Sequence, residues 1–354
     1  MLIKPGDILA ECYPFVHSID HDRSEIFCNY CFRASSSLKK CSQCHIMRYC
    51  SSRCQVKDWR NVHSVECNYY LNDSLSDEPV LYQKTWHRLV FRALLIVIKH
   101  PKRANRQIDT FFGPRSFLSL LNHNDKMLTN SNEKSRWAFQ MACDFERLGV
   151  PMTKKVFCDI FGKLIINSFA IFDNIGARIG SGVYVATSVY NHSCYPNSTY
   201  IFDGLRMQVR AVKEFDSEKE PPTICYLDWK MSREERQARL CRQYYFVCDC
   251  YLCGHPSLDR DRELECLQDQ FIEYMKEDNL RSAFDWGCKI VEKSRKQYPY
   301  PFPALTLILF KLIQIGIMIG DDRTMKIESI FRETYPITHG YDHSITEEFA
   351  KFGL

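Results

Sequence analysis

Seven cysteines and one histidine fall within forty residues, as Cys28-x2-Cys31-x9-Cys41-x2-Cys44-x5-Cys50-x3-Cys54-x8-His63-x3-Cys67. These are eight soft donors in four close pairs, and a closed tetrahedral zinc site takes four. The last two pairs have i,i+4 spacing, which places both donors of a pair on one face of a helical turn. Short loops favour alternate pairing: Cys28, Cys31, Cys50 and Cys54 on one ion, Cys41, Cys44, His63 and Cys67 on the other. Forty residues bury little core, so metal cross-links are expected to hold this segment together.

A second thiol group, Cys248-x-Cys250-x2-Cys253, is one donor short of a tetrahedral set. It is either a three-ligand site with an open position, or it is closed from a distance by Cys194 in Asn191-His192-Ser193-Cys194-Tyr195-Pro196-Asn197. Closure by Cys194 would staple two strand ends over a shared pocket.

These groups must be carried by ordinary globular elements. The chain has 354 residues, 45% of them apolar and 25% charged, enough for two or three domains. A net charge of +4 does not by itself point to nucleic acid. Eighteen cysteines without an N-terminal secretory pattern read as metal ligands in a reducing compartment. The seven outside the zinc groups (Cys12, Cys143, Cys158, Cys225, Cys241, Cys266, Cys288) are expected to be buried thiols. The apolar run 304–319 contains Lys311 and Gln314 and is short for a membrane span, so it reads as a buried helix.

Along the chain, 7–10 and 15–19 read as strands, and 86–99 and 136–147 as helices with apolar faces. Residues 163–172 are mostly apolar, while 182–185, 198–202, 207–212 and 223–227 read as strands, with Asp203-Gly204 at a hairpin turn and Gly180-Ser181-Gly182 in a connecting turn. From about Asp259 the chain reads as helices at 263–276, 280–296 and 305–319, without a clean repeat period.

Several of these stretches together resemble the SET- and MYND-domain protein lysine methyltransferases. The matching segments are Asn167-Ser168-Phe169, Asn191-His192-Ser193-Cys194-Tyr195-Pro196-Asn197, Thr223-Ile224-Cys225-Tyr226-Leu227-Asp228 and Cys248-Asp249-Cys250-Tyr251-Leu252-Cys253. The eight-donor array is similar to the MYND finger, and the resemblance runs from Pro5-Gly6-Asp7 to His339-Gly340-Tyr341-Asp342-His343-Ser344.

The resemblance implies an α+β fold divided as 1–27, the N-terminal part of a SET β-fold; 28–67, the MYND finger; 68–160, a helical insert; 161–247, the SET core; 248–258, a post-SET zinc segment; and 259–354, a tetratricopeptide-like helical lobe. It implies S-adenosylmethionine and three Zn2+ as cofactors. His123, Asn167, Asn191, His192, Tyr226 and Phe246 match cofactor-contact positions, Tyr226 the catalytic tyrosine, and Phe169 and Tyr244 the lysine channel. The substrate is a lysine of a histone or other protein, and the setting nucleus and cytoplasm.

The finger carries seven Lys/Arg against Asp58 and Glu66. A solvated basic face is the plain reading; the resemblance favours docking of proline-rich peptides there, with DNA contact as the alternative. The lobe is expected to take a peptide of a partner such as a chaperone. Family members normally begin with a Gly-x-Gly strand that wraps the cofactor. Here the first residues are Met1-Leu2-Ile3-Lys4-Pro5-Gly6, and Glu218-Lys219-Glu220-Pro221-Pro222 stands where Gly-Glu-Glu is usual. Lacking that strand, the chain would bare a sheet edge, and the competing function is a zinc-dependent adaptor acting through finger and lobe.

Overall fold

Short runs of alternating or β-branched residues give short strands, and these pair across long sequence gaps. In the computed structural model, which describes residues 1–81, 84–129, 133–228, 231–255, 263–298 and 300–354, two three-stranded antiparallel sheets form the frame. In one, Arg206–Ala211 lies between Ile8–Cys12 and Ser198–Asp203, and Gly204 turns the hairpin with a φ of +60°. In the other, Arg178–Val183 lies between Val16–Ile19 and Ser168–Phe172.

Gly180-Ser181-Gly182 is therefore the middle of a central strand and not the connecting turn its glycines suggested. A Cβ on Gly180 would stand 2.5 Å from the Ser18 carbonyl oxygen and 2.7 Å from Phe32 Cε2. Glycine is there because a neighbouring strand and a ring close over it. The apolar run 163–172 also divides. Helix Lys154–Asn167 ends where the chain turns extended at Ser168, and strand Ser168–Phe172 follows directly. That helix runs through position 160/161, where the insert was expected to give way to the core. The stretch 223–227 is a strand only at Thr223–Ile224.

Helix Thr85–Lys99 packs its apolar residues between the finger and the Val16–Ile19 sheet. Burying each such side chain contributes about 1.5–3 kcal/mol. Beyond 263 the helices Glu263–Lys276, Leu280–Gln297, Pro303–Ile319 and Thr324–Thr338 pack pairwise in order, around Phe284, Leu309, Leu312 and Phe331. The last helix and Thr346–Ala350 lie beyond the expected ones. No helix among the described residues is long and apolar enough to cross a membrane. The boundary expected at 258/259 lies outside the described residues.

Of the seven remaining cysteines, Cys241 and Cys266 are exposed and the other five half-buried, so the expectation of uniformly buried thiols does not hold. Cys241 is on the Arg233–Tyr244 helix and Cys266 on Glu263–Lys276, each on a turn that faces water.

Candidate active site and metal centres

The finger brings its eight donors into two groups. Cys28, Cys31, Cys50 and Cys54 form one and Cys41, Cys44, His63 and Cys67 the other, with the donor atoms of each group within 4.8 Å of one another. A tetrahedral zinc with Zn–S bonds of about 2.3 Å has sulfur–sulfur edges of about 3.8 Å and sulfur–nitrogen edges of about 3.6 Å. Cys31–Cys50 is 3.7 Å, Cys50–Cys54 3.6 Å, Cys41–Cys67 3.8 Å, and Cys44 Sγ to His63 Nε2 3.6 Å. The donor sets fit zinc in both composition and span.

Only one i,i+4 pair rides on continuous helix. His63 and Cys67 lie where the wide turn Trp59–His63 passes into Ser64–Ser74. Cys50 precedes helix Ser52–Asp58, whose N-terminus is capped by the Ser51 hydroxyl accepting from the Cys54 N–H at 3.2 Å.

A buried charge network that the ligand spacing did not reveal ties this finger to the core. His63 Nδ1 is 3.4 Å from Glu66 Oε1, and Arg92 Nε is 3.1 Å from Glu66 Oε2. Arg92 also pairs with Asp58, which accepts from the Tyr49 hydroxyl at 2.8 Å, and donates to the His17 carbonyl at 3.2 Å. Partners of this kind orient a ligating imidazole. The sequence signal was available: Arg88 and Arg92 are four apart in a mostly apolar helix, and both are buried.

The third thiol set resolves the choice left open above. Cys194, Cys248, Cys250 and Cys253 place their sulfurs within 4.8 Å, with Cys194–Cys248 at 4.0 Å and Cys194–Cys253 at 3.6 Å. Four thiolates on this span fit a closed zinc site. The segment is held by Gln237, whose amide donates to the Cys248 carbonyl at 2.7 Å and accepts from its N–H at 2.9 Å. Gln237 sits on helix Arg233–Tyr244, which opens with a Ser232/Glu235 capping box.

Beside this staple, Asn191–His192 pairs in parallel with Thr223–Ile224, the one parallel pairing among the described residues. Asn197 braces the crossing: its Oδ1 accepts from the Thr223 N–H at 2.7 Å and its amide donates to the Pro221 carbonyl at 3.0 Å. Next to the pair opens a cleft of about 1630 Å³.

Asn167, Asn191, His123, Tyr226 and Phe246 line the cleft, as do Phe169 and Tyr244. His192 does not. Its imidazole instead packs against Tyr226 and Phe246, at ring distances of 5.2 and 6.1 Å. His123 holds a left-handed backbone, φ +47°, and sets its ring against Tyr245. The Asn167 amide donates to the Leu121 and Lys163 carbonyls at 2.9 and 2.8 Å, so its nitrogen serves the frame.

The Tyr226 and Tyr244 rings are 4.9 Å apart, and the Phe169 ring lies edge-on to Tyr200 at 5.3 Å. The Tyr226 hydroxyl donates to the Tyr190 carbonyl at 2.6 Å. Burial, with Tyr244 beside it, raises the Tyr226 phenol well above its usual value, and burial pushes Tyr244 up to about 12. Both phenols therefore stay neutral near pH 7. Tyr190 and Tyr200 were not singled out in the sequence, because a tyrosine in an apolar strand reads as core.

A family model described as the MYND finger matches residues 28–67. The chain is 29% identical to Histone-lysine N-methyltransferase SMYD3 of Mus musculus over 340 residues, covering 89% of this chain and 75% of that protein. The protein of the same name from Homo sapiens is 28% identical over 356 residues, with 95% and 80% covered. N-lysine methyltransferase SMYD2 of Homo sapiens is 27% identical over 316 residues, with 87% and 68% covered. Finger, third zinc set and similarity across most of the length converge: the chain carries a MYND finger and is similar, over most of its length, to the protein lysine methyltransferases SMYD3 and SMYD2.

Proposed function

We propose that this chain is a protein lysine N-methyltransferase that uses S-adenosylmethionine and acts on histone or other protein lysines. The observation that carries the reading is the aromatic slot of Tyr226, Tyr244 and Phe169 opening beside the zinc-stapled Asn191–Cys194 segment. In that reading residues 1–27 and 161–247 build a SET fold, 28–67 is the finger, 68–160 a helical insert, 248–258 a post-SET segment and 259–354 a tetratricopeptide-like lobe.

The methyl donor supplies an activated methyl on a sulfonium, and this chain's residues supply alignment and a dry channel. A free lysine ammonium, with a pKa near 10.4, is mostly charged at pH 7 and must lose its proton to become a nucleophile. Burial among Tyr226, Tyr244 and Phe169 favours the neutral amine, and their faces shelter the cationic product. The nitrogen–carbon bond then forms as the carbon–sulfur bond breaks, and the proton given up earlier goes to solvent. Tyr226, fixed by its bond to the Tyr190 carbonyl, keeps an oxygen at the slot that orients the amine. Asn191, exposed at the cleft, holds the donor, with Phe246, Asn167 and His123 around it.

The finger takes proline-rich peptides, the lobe takes a partner's peptide, and the protein works in nucleus and cytoplasm. The test is label transfer from the methyl donor to histones and cell-extract proteins. Wild type is expected to transfer label, and Tyr226→Phe to do so at least about tenfold less, the scale of losing one positioned group. No transfer by wild type, together with no donor binding by calorimetry, would leave the adaptor reading instead.

A further inference from the structure

We propose that His192 is a positioning residue that links the third zinc site to Tyr226, and that its imidazole does not contact the methyl donor. The proposal rests on the reading above only in taking Tyr226 as a slot residue.

The bonds of the ring define its role. His192 Nδ1 accepts the Tyr226 backbone N–H at 3.0 Å, so Nδ1 carries the lone pair. In a neutral imidazole the proton then resides on Nε2. Nε2 lies 3.1 Å from Cys194 Sγ, in donor range of a zinc ligand. Four thiolates on one Zn2+ leave surplus negative charge, and an N–H aimed at a sulfur stabilises it. The four cysteines already complete a tetrahedral set, so the imidazole is an outer partner and not a fifth ligand.

The link adds to the main chain. Ile224 pairs with His192 in the parallel ladder, and the Ser193 N–H donates to the Ile224 carbonyl at 3.0 Å. These bonds end at Ile224, two residues short of the tyrosine. The imidazole carries the connection to Tyr226, whose hydroxyl is held separately by the Tyr190 carbonyl. Tyr226 is thus fixed at its backbone by the zinc staple and at its tip by Tyr190, the residue just before the Asn191–His192 strand. Neighbouring Asn191 and Tyr226 line the cleft while His192 is absent from its walls, as a ring with both nitrogens committed to protein should be.

Two substitutions divide the two bonds. Asn in place of His192 keeps an acceptor near the Nδ1 position but cannot reach Cys194. Gln reaches toward Cys194 with an N–H but takes the acceptor away from Tyr226. On zinc-loaded, full-length protein, nitrogen NMR of labelled histidine is expected to show His192 as the Nε2–H tautomer. With a chelating dye, His192→Asn is expected to release one of its three zincs about tenfold faster than wild type, and His192→Gln at close to the wild-type rate. In methyl transfer, His192→Gln is expected to lower kcat with little change in KM for the protein substrate.

An Nδ1–H tautomer would overturn the proposal, as would identical zinc release from all three proteins. If wild type transfers no methyl, tautomer and zinc release still decide the His192 link while the methyltransferase reading falls separately. If His192→Asn does not fold, the tautomer in wild type decides alone.

Discussion

Arg92 is a full positive charge with 2% of its surface exposed, held between the carboxylates of Asp58 and Glu66. Taking a guanidinium out of water is costly, and two buried anions offset that cost only while the cation is present. Arg92→Met is therefore expected to lower unfolding free energy by about 3–5 kcal/mol, read from urea denaturation of the zinc-loaded protein. The effect should exceed that of a surface pair such as Lys296–Glu292, which stands in water and is screened by salt. Because Glu66 also braces His63, Arg92→Met should loosen the second finger zinc as well. A stability change with unaltered zinc release would show that Arg92 serves the core alone.

At the scale of elements, the central strand Arg178–Val183 places glycine where both neighbours crowd in. Gly180→Ala puts a methyl against the Ser18 carbonyl and the Phe32 ring, and is expected to cost about 1–3 kcal/mol by overpacking, measured by thermal or urea unfolding. A neutral result would mean that Phe32 yields easily. The same strand marks where reading from residues alone falls short. Two glycines two apart read as a turn because local propensity cannot register what packs on a strand from outside. The helix-to-strand change at Asn167/Ser168 was hidden for a similar reason, since an unbroken apolar run suits either period.

Zinc donors were legible because ligand type and spacing are carried by the sequence itself. Even the remote partner Cys194 was a candidate, although only the fold could choose between it and an open position. That Tyr226, Tyr244 and Phe169 share one cleft could be expected through resemblance and not through physics. What remained invisible was the support around them: Tyr190, Tyr200 and Gln237 act through geometry that no spacing encodes, and the Arg88/Arg92 spacing hinted at buried cations without showing their partners.

For the whole molecule, the seam between the helical lobe and the first sheet is built on Arg210, His339 and His343. Arg210 donates to the Ile337 and Pro336 carbonyls, both at 3.1 Å, and His343 Nε2 lies 2.9 Å from the Phe202 carbonyl. Burial, with His343 and Arg210 beside it, lowers His339 to about 3. An unfolded histidine titrates near 6.5, so below that pH the unfolded chain takes up a proton that the folded seam refuses. The His339 contribution to stability is complete above about pH 6.5 and is lost as pH falls toward 3, at about 1.4 kcal/mol per pH unit. His17, also lowered to about 3 by burial and Arg92, adds a parallel loss in the core. Unfolding free energies measured from pH 7 to 5 should decline less steeply for His339→Gln than for wild type. Equal slopes would mean that His339 takes up its proton within the seam.

Strand Ile8–Cys12 pairs only with Arg206–Ala211 among the described residues, nearly two hundred positions later. A ribosome delivers earlier residues before later ones, so this strand emerges long before the segment that will accept it. The finger, whose donors all lie by Cys67, can close on metal while that strand still waits. Nascent chains halted before residue 206 should then hold two metal ions yet keep their amino-terminal segment open to protease, and only longer ones should shield it.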